Sequence, residues 1–129
     1  MAAINSLENS HPSNPPNLRF GSAVLTRTNN VYASSAFWSD SLALALHAEQ
    51  AAIAHAAAHG ERELVAVACV STEDAKGESF CHPCGLCKQL MYESFRSSKL
   101  DLEVIMASLQ KKYIVRRISE LSLYPWPAT

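Results

Sequence analysis

Four residues of this chain have the types and spacing to hold a metal ion and to work a proton beside it. His47 and Glu49 stand two apart in His47-Ala48-Glu49-Gln50, and Cys84 and Cys87 form Pro83-Cys84-Gly85-Leu86-Cys87. Imidazole and thiolate are donors that zinc takes in tetrahedral sites, and a catalytic site uses three protein ligands with a water in the fourth position. Zinc lowers the pKa of such a water towards neutrality and makes it a usable nucleophile. A carboxylate two residues from one ligand is placed to take the water proton and return it to a leaving group. His47, Cys84 and Cys87 are therefore the expected ligands of Zn2+, and Glu49 the expected proton carrier.

Other readings of the same residues stay open. A Cys-x-x-Cys pair alone also marks a structural zinc knuckle or a thiol redox pair. A structural site would want a fourth protein ligand, which Cys81 or His82 could supply, but it has no use for Glu49. His55 and His59 read as solvated helix positions and His11 as a loop residue. Cys69, in the apolar run Val65 to Val70, reads as a small buried hydrophobe.

The elements that must bring these residues together can be taken in order. Residues 1–17 are rich in Asn, Ser and Pro and are expected to form an irregular arm, with residues 18–129 as one catalytic domain. Leu18 to Thr28 reads as a strand in which Gly21 marks a close backbone approach or a bulge. Asn29-Asn30 supplies a hairpin turn, and Val31 to Trp38 the antiparallel partner. The alanine-rich stretch from His47 to Gly60 is a helix with a glycine just past its end. Leu64 to Thr72 is apolar throughout and reads as a central strand. A helical period runs from Leu86 to about Ser97, strands are expected over 102–107 and 112–117, and a short helix over 118–123. Both ligand segments thus open helices, where the positive dipole end favours thiolates. The order predicts an α/β fold with a mixed five-stranded sheet and helices packed on it.

Composition narrows the partners. The chain has 129 residues, 48% hydrophobic and 18% charged, which suits one soluble domain with a real core. A net charge of −1 gives no electrostatic footprint for nucleic acid or an anionic membrane. Lys111-Lys112 with Arg116-Arg117 is the one candidate basic patch. No apolar run approaches the about 18 residues of a membrane span, and residues 1–16 lack a secretory pattern. A cytoplasmic protein acting on a small molecule, with no nucleic acid and no membrane as partner, is expected.

The segments His47-Ala48-Glu49-Gln50-Ala51-Ala52-Ile53 and Pro83-Cys84-Gly85-Leu86-Cys87-Lys88-Gln89-Leu90-Met91 closely resemble the two metal motifs of the nucleoside cytidine deaminases. Phe20-Gly21-Ser22-Ala23-Val24-Leu25 is similar to that family's Val-Gly-Ala-Ala-Leu strand, and Glu120 to Trp126 to its terminal segment. The resemblance covers about residues 18–127. It implies a three-layer αβα sandwich, zinc on His47, Cys84 and Cys87, and hydrolytic deamination with Glu49 as proton shuttle. It also implies that the Ala48 N–H holds the pyrimidine carbonyl, that a backbone carbonyl near His82 and Pro83 receives the amino group, and that Trp126 covers the base, often in a neighbouring subunit. Leu18, Ala36 and Trp38 complete the expected substrate contacts. Short chains of this family are usually homotetramers.

The departures bear on the substrate. Nucleoside-acting members bind the ribose hydroxyls through an Asn-x-Glu, and the matching positions here are Ala36-Phe37-Trp38 or Ser34-Ser35-Ala36. A pocket without those partners loses charge-assisted hydrogen bonds of roughly 1.5–3 kcal/mol each. The family's first helix is missing or degenerate, and Lys88 stands where an Arg usually follows the second Cys. The expected substrate is therefore an aminated pyrimidine nucleoside or a related aminated heterocycle, not necessarily plain cytidine. The rival readings are a non-catalytic zinc-containing binding protein of the same fold and a nucleic-acid deaminase.

Overall fold

The computed structural model describes residues 1–9, 18–73, 76 and 78–127. Its centre is a five-stranded sheet in the order β2-β1-β3-β4-β5. β1 (Phe20–Thr26) and β2 (Val31–Ser35) form a hairpin, closed by Asn29 at φ 70°, a left-handed position that asparagine tolerates. β1 also pairs antiparallel with β3 (Leu64–Ser71). β3 runs parallel to β4 (Glu103–Ala107), and β5 (Tyr113–Arg117) returns antiparallel beside it. The sheet is mixed, as the element order predicts.

The parallel pair needs a crossover, and α3 (Gly85–Ser98) supplies it. α2 (Ala48–Ala58) joins β2 to β3, and its C-terminal side is closed by Gly60 at φ 81°. Alternation along β3 assigns the two faces. Val67 and Cys69 pack with Ala52 and Ala56 of α2 and with Cys87 and Met91 of α3. Ala68 and Val70, one residue out of phase, pack with Ala3 and Leu7. Helices therefore lie on both faces of the sheet, in three layers. α4 (Ile118–Leu121) follows β5 and sends Ile118 into the same core as α3.

The amino-terminal arm differs from its expectation. Residues Ala2–Asn5 form a single helical turn, α1, and Ser6–Asn9 a 3-10 turn. Four residues cannot hold a helix alone; here the turn is held by docking. A Cβ on Gly21 would run into the Ala3 carbonyl oxygen and meet Ser6 Oγ at 2.7 Å. Ser6 Oγ also donates to Ser34 O at 2.8 Å, tying the arm to the hairpin. Gly21 thus serves close approach, and the first helix survives in shortened form. Residues 10–17 lie outside the described residues, so the expectation of irregular structure concerns them without a finding.

Candidate active site

Both helices that matter begin at the same place. His47 is the N-cap of α2 and Cys84 the N-cap of α3, each in extended conformation. The loop before α3 is held to the sheet where the parallel strands end, since Cys81 N–H donates to Ala107 O at 3.0 Å. This is the crevice outside the carboxyl ends of the strands, where open α/β sheets place their ligands. The His47 N–H donates to Gln50 Oε1 at 2.7 Å, so Gln50 fixes the helix entry that carries the imidazole.

The three donor atoms converge. Cys84 Sγ lies 3.2 Å and Cys87 Sγ 3.5 Å from His47 Nδ1, and the two sulfurs are 3.7 Å apart. A tetrahedral zinc with bonds of about 2.3 Å to sulfur and about 2.0 Å to nitrogen would separate its ligands by about 3.8 Å (S to S) and about 3.5 Å (N to S). The cluster therefore fits Zn2+ in size as well as in chemistry. His47 is half-buried, Cys84 exposed and Cys87 buried, so one side of the cluster is open.

Glu49 is 6% exposed and accepts a hydrogen bond from Cys87 Sγ at 3.0 Å. Burial first, and then the Glu49 carboxylate, push the Cys87 thiol well above its ordinary pKa. A cation among the donors would reverse the balance, because a coordinated thiol is deprotonated.

A cavity of 180 Å³ opens on this cluster, lined by Phe20, Ala36, Trp38, His47, Ala48, Glu49, Cys81, His82 and Cys84. Ala36 and Trp38 reach it because Phe37 and Leu46 pair as an isolated bridge, with bonds of 3.0 and 2.7 Å, which pins the end of the hairpin beside the entry to α2. Phe37 turns outward at 58% exposure, and Trp38 turns to the cavity. Trp38 and Phe20 are ring neighbours, their centroids 6.4 Å apart.

Other expected contacts lie elsewhere. Leu18 is not in the cavity wall; Phe20, two residues on and on the same strand face by period, takes that place. Pro83, between His82 and Cys84 in the sequence, is buried and is not in the wall. Trp126 stands 76% exposed and outside this chain's own wall. Cys81 lines the cavity and groups with Glu49 and Cys69, their ligand atoms within 4.8 Å of one another. Phe20 is the residue that sequence reasoning missed. The signal was the two-residue period it shares with Leu18.

Comparison with known proteins agrees with this geometry. The family model described as the cytidine and deoxycytidylate deaminase zinc-binding region matches residues 1–100. The structure resembles cytidine deaminase from Burkholderia pseudomallei with a TM-score of 0.82 and 28% identity, covering 97% of this chain and 94% of that one. Cytidine deaminase from Mycobacterium leprae superposes with a TM-score of 0.72 at 28% identity, covering 98% of this chain and 92% of that one. The fold is shared also with cytidine deaminase from Mycobacterium tuberculosis, at a TM-score of 0.75, 22% identity and coverage of 98% and 93%. No curated protein matched the sequence. With a mixed sheet of this order, a His-Cys-Cys cluster of zinc dimensions and a family model covering most of its length, the chain belongs to the zinc-binding cytidine and deoxycytidylate deaminase family.

Proposed function

We propose that this protein is a zinc-dependent hydrolytic deaminase of a small aminated pyrimidine or related heterocycle. The observation that carries the reading is the buried Glu49 carboxylate, 3.0 Å from Cys87 Sγ and in the wall of the cavity that the His-Cys-Cys cluster opens on. His47, Cys84 and Cys87 would hold the zinc, which when bound acts as a Lewis acid and lowers the pKa of water at its open position.

The chain's own residues do the rest. Glu49 takes a proton from the attacking water as the water oxygen bonds to the amino-bearing ring carbon, and passes it to the adjacent ring nitrogen. The second proton goes by the same carboxylate to the amino group, the C–N bond breaks, and ammonia leaves. Ala48 lies in the wall at the first position of α2, where backbone N–H groups have no acceptor within the helix, so its N–H can hold the ring carbonyl. The backbone at His82 and Pro83 would receive the amino group. Leu18 would support Phe20 from the strand end and touch only a substrate that extends beyond the cavity.

Trp126, exposed here, would reach a substrate across an interface, which suits a homo-oligomer and, by the family resemblance, a tetramer. Action in the cytoplasm suits four cysteines that remain thiols. Among the described residues no helix is long and apolar enough to cross a membrane.

The test is Glu49→Gln in the zinc-loaded protein. Turnover, followed as ammonia release, should fall by about 10²–10⁴-fold while one zinc per chain is retained. Undiminished turnover would end the proton-shuttle role. Zinc binding with no ammonia from any aminated ring, even in the wild-type chain, would make this a non-catalytic zinc protein.

A further inference from the structure

The chain has four cysteines, and the His47-Cys84-Cys87 cluster uses two of them. The two left over, Cys69 and Cys81, are neighbours. Their sulfurs and a carboxylate oxygen of Glu49 form a second group of donors, all within 4.8 Å of one another and all on buried residues. Glu49 lies between the two groups, since it also accepts from Cys87 Sγ at 3.0 Å.

Backbone bonds hold the leftover pair together. Cys69 Sγ donates to the Cys81 carbonyl oxygen at 3.3 Å, and the Cys81 N–H donates to Ala107 O at 3.0 Å. The segment carrying Cys81 is thus fixed against both parallel strands, β3 through Cys69 and β4 through Ala107. A tetrahedral zinc with bonds of about 2.3 Å to sulfur and about 2.1 Å to oxygen separates two sulfurs by about 3.8 Å and sulfur from oxygen by about 3.6 Å. The three donors stand no more than about 1.2 Å beyond those separations. Glu49 and Cys81 line the cavity, so two of the three are offered to an entering cation, and the Cys69 sulfur is within 4.8 Å of both. Full burial of Cys69 is no bar: Cys87, a donor of the first cluster, is buried to the same degree.

We propose that Glu49, Cys69 and Cys81 form a second, inhibitory metal site, filled by a thiophilic divalent cation such as Zn2+ above one equivalent per chain. The donors select the cation. Two sulfurs and one carboxylate suit Zn2+ or Cd2+, whereas Mg2+ and Ca2+ take oxygen ligands. The site fills after the His47 cluster, which has an exposed donor in Cys84, while every donor of the second group is buried. A cation there occupies the carboxylate that the proposed reaction needs for its protons, so occupancy and turnover exclude each other. The inhibition rests on the deaminase reading; the binding does not.

The starting point is the protein loaded with one zinc per chain. Dialysis against excess zinc should bring the wild type to two zinc ions per chain and leave Cys69→Ala at one. Ammonia release by the wild type should fall at least tenfold as the second zinc binds, and Mg2+ should have no effect. Cys69→Ala removes a donor outside the cavity wall. Its turnover with one zinc should stay within about twofold of wild type, and at least tenfold more zinc should be needed for the same inhibition. Equal affinity of the two proteins for a second zinc, or full turnover with two zinc ions bound, would overturn the proposal.

Zinc counting separates this outcome from failure of the deaminase reading. A wild-type chain that releases no ammonia from any aminated ring, yet takes a second zinc that Cys69→Ala does not, would sink that reading and uphold the metal site. Cadmium tests the unsubstituted chain, where no variant can misfold. Added to the one-zinc protein, Cd2+ should bind with zinc retained and give sulfur-to-cadmium absorption in the ultraviolet. Cadmium bound without that absorption would lie on carboxylates or imidazoles instead, and the site would fall.

Discussion

Two carboxylates bracket α2, and they are treated in opposite ways. Glu61, just past the helix end, is surrounded by donors: Thr26 Oγ1 at 2.8 Å, Asn30 Nδ2 at 2.9 Å, and the hydroxyls of Thr28 and Tyr32. The bonds from Thr28, Tyr32 and Asn30 hold its pKa down to about 2. Glu49, in the first turn, is buried beside three cysteine sulfurs, and its hydrogen bond comes from one of them. Saturation with donors leaves Glu61 no capacity for chemistry; it locks the hairpin tip to the end of α2. Glu49 keeps lone pairs that the fold does not use. One helix therefore has at one end an acid whose lone pairs the fold consumes and at the other the acid proposed to do the chemistry, and what distinguishes them is the supply of neutral donors.

Exchanging each acid for its amide tests this contrast. Glu49→Gln, whose turnover should fall by about 10²–10⁴-fold, should leave the unfolding midpoint unchanged or raised, because a buried charge short of donors does not stabilise the fold. A large drop in the midpoint would mean that Glu49 is structural after all. Removing zinc should come next in size. At a thousandfold excess over its dissociation constant a bound ion adds about 4 kcal/mol, so a chelator should lower the melting temperature of the wild type and leave that of Cys87→Ala where it is.

Damage far from the cavity should spare the chemistry. Gly21→Ala forces a Cβ against the Ala3 carbonyl and should cost about 1–3 kcal/mol in urea unfolding, with KM unaltered. Glu61→Gln should be the mildest. The folded pKa of about 2 lies below the about 4.3 of an unfolded Glu, so the carboxylate's contribution is present above about pH 4 and lost as the pH falls towards 2. The variant should show a flatter acid limb in a melting-temperature profile and an unchanged rate of ammonia release. A loss of turnover in Glu61→Gln would break the contrast between the two acids.

The strands and the long helices were legible because their residues carry the period of the element: the alternation in β1, the apolar run of β3, the alanines of α2 closed by Gly60. His47, Glu49, Cys84 and Cys87 were legible because few chemistries need those types at that spacing. α1 was not, because Ala2 to Asn5 have no strong local signal and take helical form only against Gly21. Phe20 was not, because strand period leaves it equivalent to Leu18.

Ala52 and Ala56, both fully buried where α2 meets the sheet, give the helix a further property. Alanine has no rotamers with which to yield, so the height of α2 above the sheet is set by methyl groups and backbone alone, like a shim of fixed thickness. The reach of Glu49 towards Cys87 is inherited from that thickness. A methylene added at either position would lift the whole rod and open the gap at its working end, so the accuracy of the site is machined into two of the chemically plainest side chains in the protein.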